Sequence, residues 1–278
     1  MRIDDALTWA EFLLAGSDSP LLDAQVLLAH VLGKETIYLM TWPERDISRE
    51  QKAEFEALVQ KRLNGVPVAH LVGTREFWSL PLKVNNSTLI PRPDTEILVE
   101  SALEICPADA DILDLGTGTG AIILALASEL PKANCVGIDF SHDAVQLATE
   151  NAQQLNINNV LFKQSNWFEN VDGRYDLIVS NPPYIDKNDH HLQHGDVRFE
   201  PLSALVAEAN GLADIQLIAQ QAGDYLNDGG ALLMEHGFEQ AAMVRDILND
   251  LPYSQIKTLK DYGGNDRVTM AIYNKRDK

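Results

Sequence analysis

The chain has 278 residues, 45% apolar and 23% charged, which excludes wholesale disorder and fibrous repeats and admits one large domain or two smaller ones. It carries 22 Lys+Arg against 41 Asp+Glu, a formal charge of −19, and so acidic a surface repels phosphate backbones and argues against a tight, non-specific nucleic-acid binder. No stretch approaches the ~18 apolar residues of a membrane span, the opening Met1-Arg2-Ile3-Asp4-Asp5 does not fit a signal peptide, and Cys106 and Cys135 form no CxxC or disulfide framework.

A reduced, cytoplasmic setting is therefore expected, with both thiols acting as buried small hydrophobes. Residues 1–70 read as helices only. Ser19-Pro20 predicts an N-cap followed by proline at the first helical position, and Gly33 sits where a left-handed C-terminal residue belongs. A second helix opens on the capping box Ser48 to Gln51 and ends at Asn64-Gly65. Trp9, Phe12 and Leu13 are spaced as helix core. Nothing here carries chemistry, so this part is a binding or packing module.

Residues 71–90 switch to alternation at Phe77, Leu80, Leu82 and Val84, around Pro81 and Asn85-Asn86, as expected of a β-hairpin connector. From Pro91 onward short apolar runs alternate with helical patterns. Strands are expected at 112–115, 135–139, 160–164, 177–180, 231–235 and 268–273, and helices at 122–130 (stopped by Pro131), 143–155, 212–226 and 240–251. Such alternation predicts an α/β architecture, a mostly parallel sheet with helices on both faces. The expected division is a helical domain 1–70, a connector 71–90 and a catalytic domain 91–278. Charge follows it: residues 1–75 hold 8 basic and 11 acidic side chains, the remainder 14 and 30. The polar stretch 185–210 is too long for a plain connection and reads as functional or mobile.

Two motifs carry the chemistry. Asp114-Leu115-Gly116-Thr117-Gly118-Thr119-Gly120-Ala121 leaves a strand and opens a helix, where glycines allow a tight turn and a close approach of backbone to ligand. Asp139 ends the next strand, placed to accept two ribose hydroxyls. Together they indicate an adenosine cofactor without saying which, because Gly116-x-Gly118-x-x-Ala121 also satisfies a relaxed dinucleotide fingerprint. The second motif, Asn181-Pro182-Pro183-Tyr184, follows the apolar strand Leu177-Ile178-Val179-Ser180. Two prolines remove two N–H donors, leaving acceptors: the Asn181 side-chain oxygen and backbone carbonyls. An acceptor cluster suits a substrate NH2 group, and Tyr184 adds a face for a planar group. Dehydrogenase chemistry needs no such acceptors.

These motifs together resemble the class I S-adenosylmethionine-dependent methyltransferases that act on planar nitrogen. Further blocks point within that group to the peptide chain release factor N5-glutamine methyltransferases: Gly73-Thr74-Arg75-Glu76-Phe77-Trp78, then Leu89-Ile90-Pro91-Arg92-Pro93-Asp94-Thr95-Glu96, Glu200-Pro201-Leu202-Ser203-Ala204-Leu205 and Glu235-His236-Gly237-Phe238-Glu239-Gln240. The resemblance covers nearly the whole chain and implies a Rossmann-like sheet with a small N-terminal all-helical, substrate-binding domain. By position it implies that Gly116, Thr117, Gly118, Thr119 and Gly120 wrap the methionine part of S-adenosyl-L-methionine and that Asp139 takes the ribose. Trp167 would lie against the adenine, with Asn166, where many members have Asp, accepting from its amino group. Asn181, Pro182, Pro183 and Tyr184 would hold the substrate glutamine, with the Asn181 Oδ1 and the Pro182 carbonyl accepting both amide hydrogens. The implied partners are release factors 1 and 2, with no direct nucleic acid, no membrane and a monomeric enzyme.

His190, His191 and His194, beside Asp189 and Asp196, have the look of a zinc tract, but methyl transfer needs no metal and a solvated loop is expected. The rival reading is a nucleic-acid amino-methyltransferase of the same fold, which must bind a polyanion. It is disfavoured because no basic run longer than Lys61-Arg62 precedes Lys275-Arg276-Asp277-Lys278. A non-catalytic cofactor-binding protein is disfavoured by the intact glycines and Asn181.

Overall fold

The computed structural model describes residues 1–193 and 195–275. The chain forms two compact units, Met1–Thr74 with Gln193–Phe199, and Arg75–Leu192 with the chain from Glu200 onward. Among the described residues no helix is long and apolar enough to cross a membrane.

The first unit is helical: α1 (Ile3–Leu13), α2 (Pro20–Leu32), α3 (Thr36–Thr41), α4 (Arg49–Leu63) and α5 (Val68–Val72). Leu27, Leu28, Leu39, Phe55 and Val59 form its core, with Trp9 edge-on to Phe55 at 6.1 Å. Phe12 corrects the sequence reading, being 80% exposed. At about 100° per residue it lies opposite Ile3, and α1 buries the face of Ile3, Ala6 and Ala10. Ser19 makes no side-chain cap. Its hydroxyl donates instead to Asp23 Oδ1 at 3.1 Å, because an acid in the first turn offers a stronger acceptor. Arg62 bridges Asp23 and Asp196, 2.8 Å to each. The other signals hold: Gly33 is left-handed (φ 59°), and Ser48 and Gln51 form a reciprocal capping box at 3.2 and 2.9 Å.

The hairpin follows, β1 (Thr74–Phe77) and β2 (Leu80–Lys83). Its turn is Trp78-Ser79, both left-handed (φ 52° and 59°), and not the Pro81 or Asn85-Asn86 region. Neither residue favours that conformation. Tertiary bonds hold it, from the Trp78 N–H to Glu96 Oε1 at 3.0 Å and from its indole N–H to Glu129 Oε1 at 2.9 Å.

The second unit continues through α6 (Glu96–Ile105), β3 (Asp111–Leu115), α7 (Ala121–Glu129), β4 (Asn134–Asp139), α8 (His142–Leu155), β5 (Val160–Gln164) and β6 (Tyr175–Ser180). A short pair, β7 (Ile185–Asp186) and β8 (Val206–Ala207), precedes the turn α9 (Glu208–Gly211). Then come α10 (Ala213–Ala222), β9 (Leu226–Glu235), α11 (Ala241–Asn249), β10 (Tyr253–Lys260) and β11 (Asp266–Tyr273). The large sheet runs β10-β11-β9-β6-β3-β4-β5, parallel from β9 to β5, with β11 antiparallel to both neighbours. Its central strands carry apolar runs (Ile112, Leu113, Leu177, Ile178, Val179) because both faces are covered. Helices α6, α7 and α8 pack on one face, α10 and α11 on the other. Strand order reverses at β3, which opens a crevice at the carboxyl ends of β3 and β6.

Two departures have plain causes. The strand β10 escapes a hydrophobicity reading because it is an edge strand carrying Ser254, Gln255, Lys257, Thr258 and Lys260, with Gln255 left-handed in an irregular stretch of pairing. Strand β9 starts at Leu226, five residues early, because Gly229 (φ 79°) lets Asn227-Asp228-Gly229-Gly230 stay in the sheet where the composition reads as a turn.

Gly120 (φ 83°) shows how tightly α7 meets the sheet. A Cβ there would lie 3.0 Å from Leu124, 3.2 Å from Ala148 and 3.3 Å from Phe162. Gly120→Ala is expected to cost about 1–3 kcal/mol, from a left-handed non-glycine residue and overpacking. Urea unfolding of the two proteins measures it, and equal midpoints would refute it.

Candidate active site

A cavity of about 330 Å³ opens at the carboxyl ends of the central strands. Its floor is the loop after β3, where Gly116 (φ 73°) and Gly118 (φ 55°) hold conformations that side chains disfavour. The Thr117 N–H donates to the Ile138 carbonyl at 2.8 Å, and its hydroxyl to Asp114 Oδ2 at 2.7 Å. Asp139 clamps the loop from β4, with Oδ2 accepting from the Gly118 N–H at 2.9 Å and Oδ1 from the Ser141 N–H at 2.8 Å. Gly116, Thr117, Gly118, Thr119 and Asp139 all line the cavity, whereas Gly120 does not and serves the packing described above.

Burial raises the carboxyl groups behind this loop. It lifts Asp139 above its ordinary range and pushes the fully buried Asp114 up to about 7. A carboxyl raised in the folded state contributes stability at low pH that is lost as pH climbs from its unfolded value near 4 through about 7. Asp114→Asn removes that loss, so the variant should gain on the wild type between pH 5 and pH 8. Melting curves across that range test it, and a constant difference would exclude it.

The aromatic wall is built with strain. Trp167 is left-handed (φ 46°), held by the Ser165 hydroxyl, which donates to its carbonyl at 2.7 Å, and by Asp214, which accepts from its side chain. Its ring is 3.6 Å from where a Cβ on Gly116 would stand. Asn166 lines the same wall, its Nδ2 donating to Glu169 Oε1 at 2.8 Å. Sequence reasoning missed Phe140, which lines the cavity and is 70% exposed. The available signal was a large apolar residue directly after the acid that ends β4. It also missed Thr88, a lining residue whose buried Oγ1 has no hydrogen-bond partner among the described residues.

The Asn-Pro-Pro-Tyr segment leaves β6 at the crevice. Asn181 and Pro183 line the cavity, while Pro182 and Tyr184 do not, and Pro182 is buried. The Asn181 Nδ2 donates to Thr95 Oγ1 at 3.3 Å, and among the described residues no donor reaches its Oδ1. Tyr184 points behind the site: its hydroxyl donates to Glu235 Oε1 at 3.1 Å, and burial first, then the nearby Glu235 charge, keep it protonated. Its carbonyl accepts from Gln240 Nε2 at 3.0 Å.

The scattered blocks of the sequence meet here. Arg92 lines the cavity and grips Glu200 at 2.7 and 2.9 Å, and Glu200 also accepts from the Ile90 N–H at 3.1 Å. Arg267 is 3.6 Å from Asp94 and 3.0 Å from Asp261. His190 Nδ1 stands 3.7 Å from Asp189, and His194 of the histidine tract lies outside the described residues.

Residues 5–73 match the family described as the PrmC N-terminal domain, and residues 108–276 match a methyltransferase domain. The chain is 57% identical over 261 residues to a release factor glutamine methyltransferase of Aliivibrio fischeri, covering 93% of this chain and 92% of that one. It is 51% identical over 262 residues to the Escherichia coli protein of the same name, covering 94% and 95%. A methyltransferase from Pyrococcus furiosus shares the fold, with a TM-score of 0.56 at 17% identity over 79% of this chain and 98% of that one. A helical unit joined to a class I methyltransferase sheet, at this identity over almost the full length, makes the chain a member of the release factor glutamine methyltransferase family.

Proposed function

We propose that the chain transfers a methyl group from S-adenosyl-L-methionine to the side-chain amide nitrogen (N5) of the glutamine in the Gly-Gly-Gln motif of peptide chain release factors 1 and 2, leaving S-adenosyl-L-homocysteine. The observation that carries it is Asn181, which lines a cavity floored by a glycine loop and whose amide oxygen has no donor among the described residues.

The residues present fit the cofactor. Gly116 and Gly118 make a cradle that side chains would fill, Thr88 leaves a buried hydroxyl unpaired beside it, and Trp167 and Phe140 flank the acid Asp139. Gly116 to Thr119 would hold the methionine part, Asp139 the ribose, and Trp167 and Phe140 the adenine. Asn166, with its NH2 turned to Glu169, keeps an amide oxygen as acceptor. When bound, the cofactor supplies an electrophilic methyl group whose sulfonium departs as a neutral thioether.

An amide nitrogen is a weak nucleophile because its lone pair is delocalised into the carbonyl. The chain therefore needs placement and electrostatics rather than a strong base. Asn181 Oδ1 and the Pro182 carbonyl would accept the two amide hydrogens and bias the nitrogen toward tetrahedral geometry with its lone pair toward the methyl group. Pro183 would support the substrate beside them, and Tyr184, tied to Glu235 and Gln240, would anchor the segment.

The charge supports a basic protein partner over nucleic acid, with the helical unit as a second contact and a cytoplasmic monomer as the working form. Association with release factor should slow as salt rises from 50 to 500 mM, and a rate independent of salt would exclude steering. The function itself is tested with labelled cofactor and three acceptors: a release factor, the same factor with the motif Gln replaced, and mixed DNA and RNA. Label on the intact factor alone, mapped to the Gln side chain by mass spectrometry, is expected. Label on nucleic acid would overturn the assignment.

A further inference from the structure

Glu235 is buried and does not line the cavity, and methyl transfer asks nothing of it directly. Its neighbours give it an indirect task. Asn181 Nδ2 donates to Thr95 Oγ1 at 3.3 Å. A hydroxyl can meet an amide in two ways, accepting from the NH2 or donating to the C=O, and the destination of its own proton decides which. Thr95 is 4% exposed; burial pushes the Glu235 carboxyl up to about 7, and the Thr95 hydroxyl beside it is foremost among the groups that favour its ionised form. The Tyr184 hydroxyl donates to Oε1 of that carboxyl at 3.1 Å, and the buried Oε2 has no hydrogen-bond partner among the described residues. Arg267 adds positive charge nearby and Asp94 negative charge.

We propose that Thr95 and Glu235 are positioning residues that set the direction of the Asn181 amide. The carboxylate accepts the Thr95 proton, Thr95 accepts an amide hydrogen of Asn181, and Asn181 Oδ1 is left to face the cavity. The proposal rests on the reading of Asn181 as the group that binds the substrate amide. Above about pH 7 the Glu235 carboxyl is ionised and can only accept, so there the chain of donors runs one way. Reversed, Asn181 would turn its own NH2 toward the substrate NH2, and donors would face donors.

Three variants test direction separately from packing. Thr95→Val removes the hydroxyl and keeps the volume, and Thr95→Ser keeps the hydroxyl. Glu235→Gln keeps the size and adds a donor that can satisfy Thr95 and release its proton toward Asn181 Oδ1. Thr95→Val and Glu235→Gln are expected to lower kcat for release factor methylation about 10- to 100-fold, with KM for the factor and Kd for S-adenosylmethionine within about threefold of wild type. Thr95→Ser should keep kcat within about threefold. Equal losses in the Val and Ser variants, or an unchanged kcat in Thr95→Val, would overturn the proposal. Should Thr95→Val fail to fold by circular dichroism, the kcat of Glu235→Gln decides by the same limits. Active wild type with unaltered variants sinks this inference alone, whereas wild type that does not label the factor sinks the functional reading beneath it.

Discussion

Replacing Asn181 by Ala is expected to lower the single-turnover rate of methyl transfer at least 10²-fold, the usual range for a lost hydrogen bond that strengthens in the transition state. Asn181 reaches the cavity at the end of β6, with its NH2 held by Thr95 and its oxygen without a donor among the described residues. The substrate amide approaches planar, and its nitrogen becomes nucleophilic only as its hydrogens are drawn out of that plane. Acceptors fixed where those hydrogens will go therefore act mainly at the top of the barrier. Cofactor affinity should change little, because the glycine loop is held by Asp139 and Asp114 from other strands. Rapid-quench measurement at saturating cofactor and release factor reads the chemical step directly. A rate within a few-fold of wild type would remove Asn181 from the mechanism.

The second large effect is expected at Asp139, where Asp139→Asn should weaken S-adenosylmethionine binding about 10- to 100-fold. The carboxylate uses both oxygens on backbone donors, Gly118 N–H and Ser141 N–H. An amide has one acceptor, so one of those N–H groups must face the new NH2. A buried donor left unpaired costs about 1–3 kcal/mol, and here that cost falls on the loop that must cradle the ligand. Titration calorimetry gives the Kd, and thermal unfolding of the ligand-free protein shows whether the loop alone is affected. An unchanged Kd would mean that Asp139 neither shapes the loop for the cofactor nor touches it.

Much of the second unit was legible because its signals are local. An apolar run bounded by Gly or Pro marks a buried parallel strand, and β3, β4, β5 and β6 begin and end within one or two residues of expectation. The segments that escaped are those whose conformation is imposed from outside. Trp78 and Ser79 turn the chain against their own preference because Glu96 and Glu129 hold Trp78. Strand β10 is paired by β11 although its composition is polar. Trp167 is left-handed because Ser165 and Asp214 clasp it. In the helical unit Phe12 looked like core because spacing fixes a face only relative to a neighbour that the spacing does not name.

The candidate site divides the same way. Sequence alone determined the family, the architecture, the glycine loop, the acid that ends β4 and the Asn-Pro-Pro-Tyr segment, since each depends on residue types a few positions apart and on backbone freedom at those positions. Tertiary structure alone decided what each residue touches there. It set Gly120 in the tight packing of α7 and outside the cavity lining, turned the Tyr184 hydroxyl back onto Glu235, and brought Thr95, more than eighty residues upstream, against Asn181. It added Phe140 and Thr88 to the lining and joined Arg92 to Glu200. The physical reason is that hydrogen-bond direction and burial are properties of neighbours in space, and sheet order, not chain order, decides which residues become neighbours.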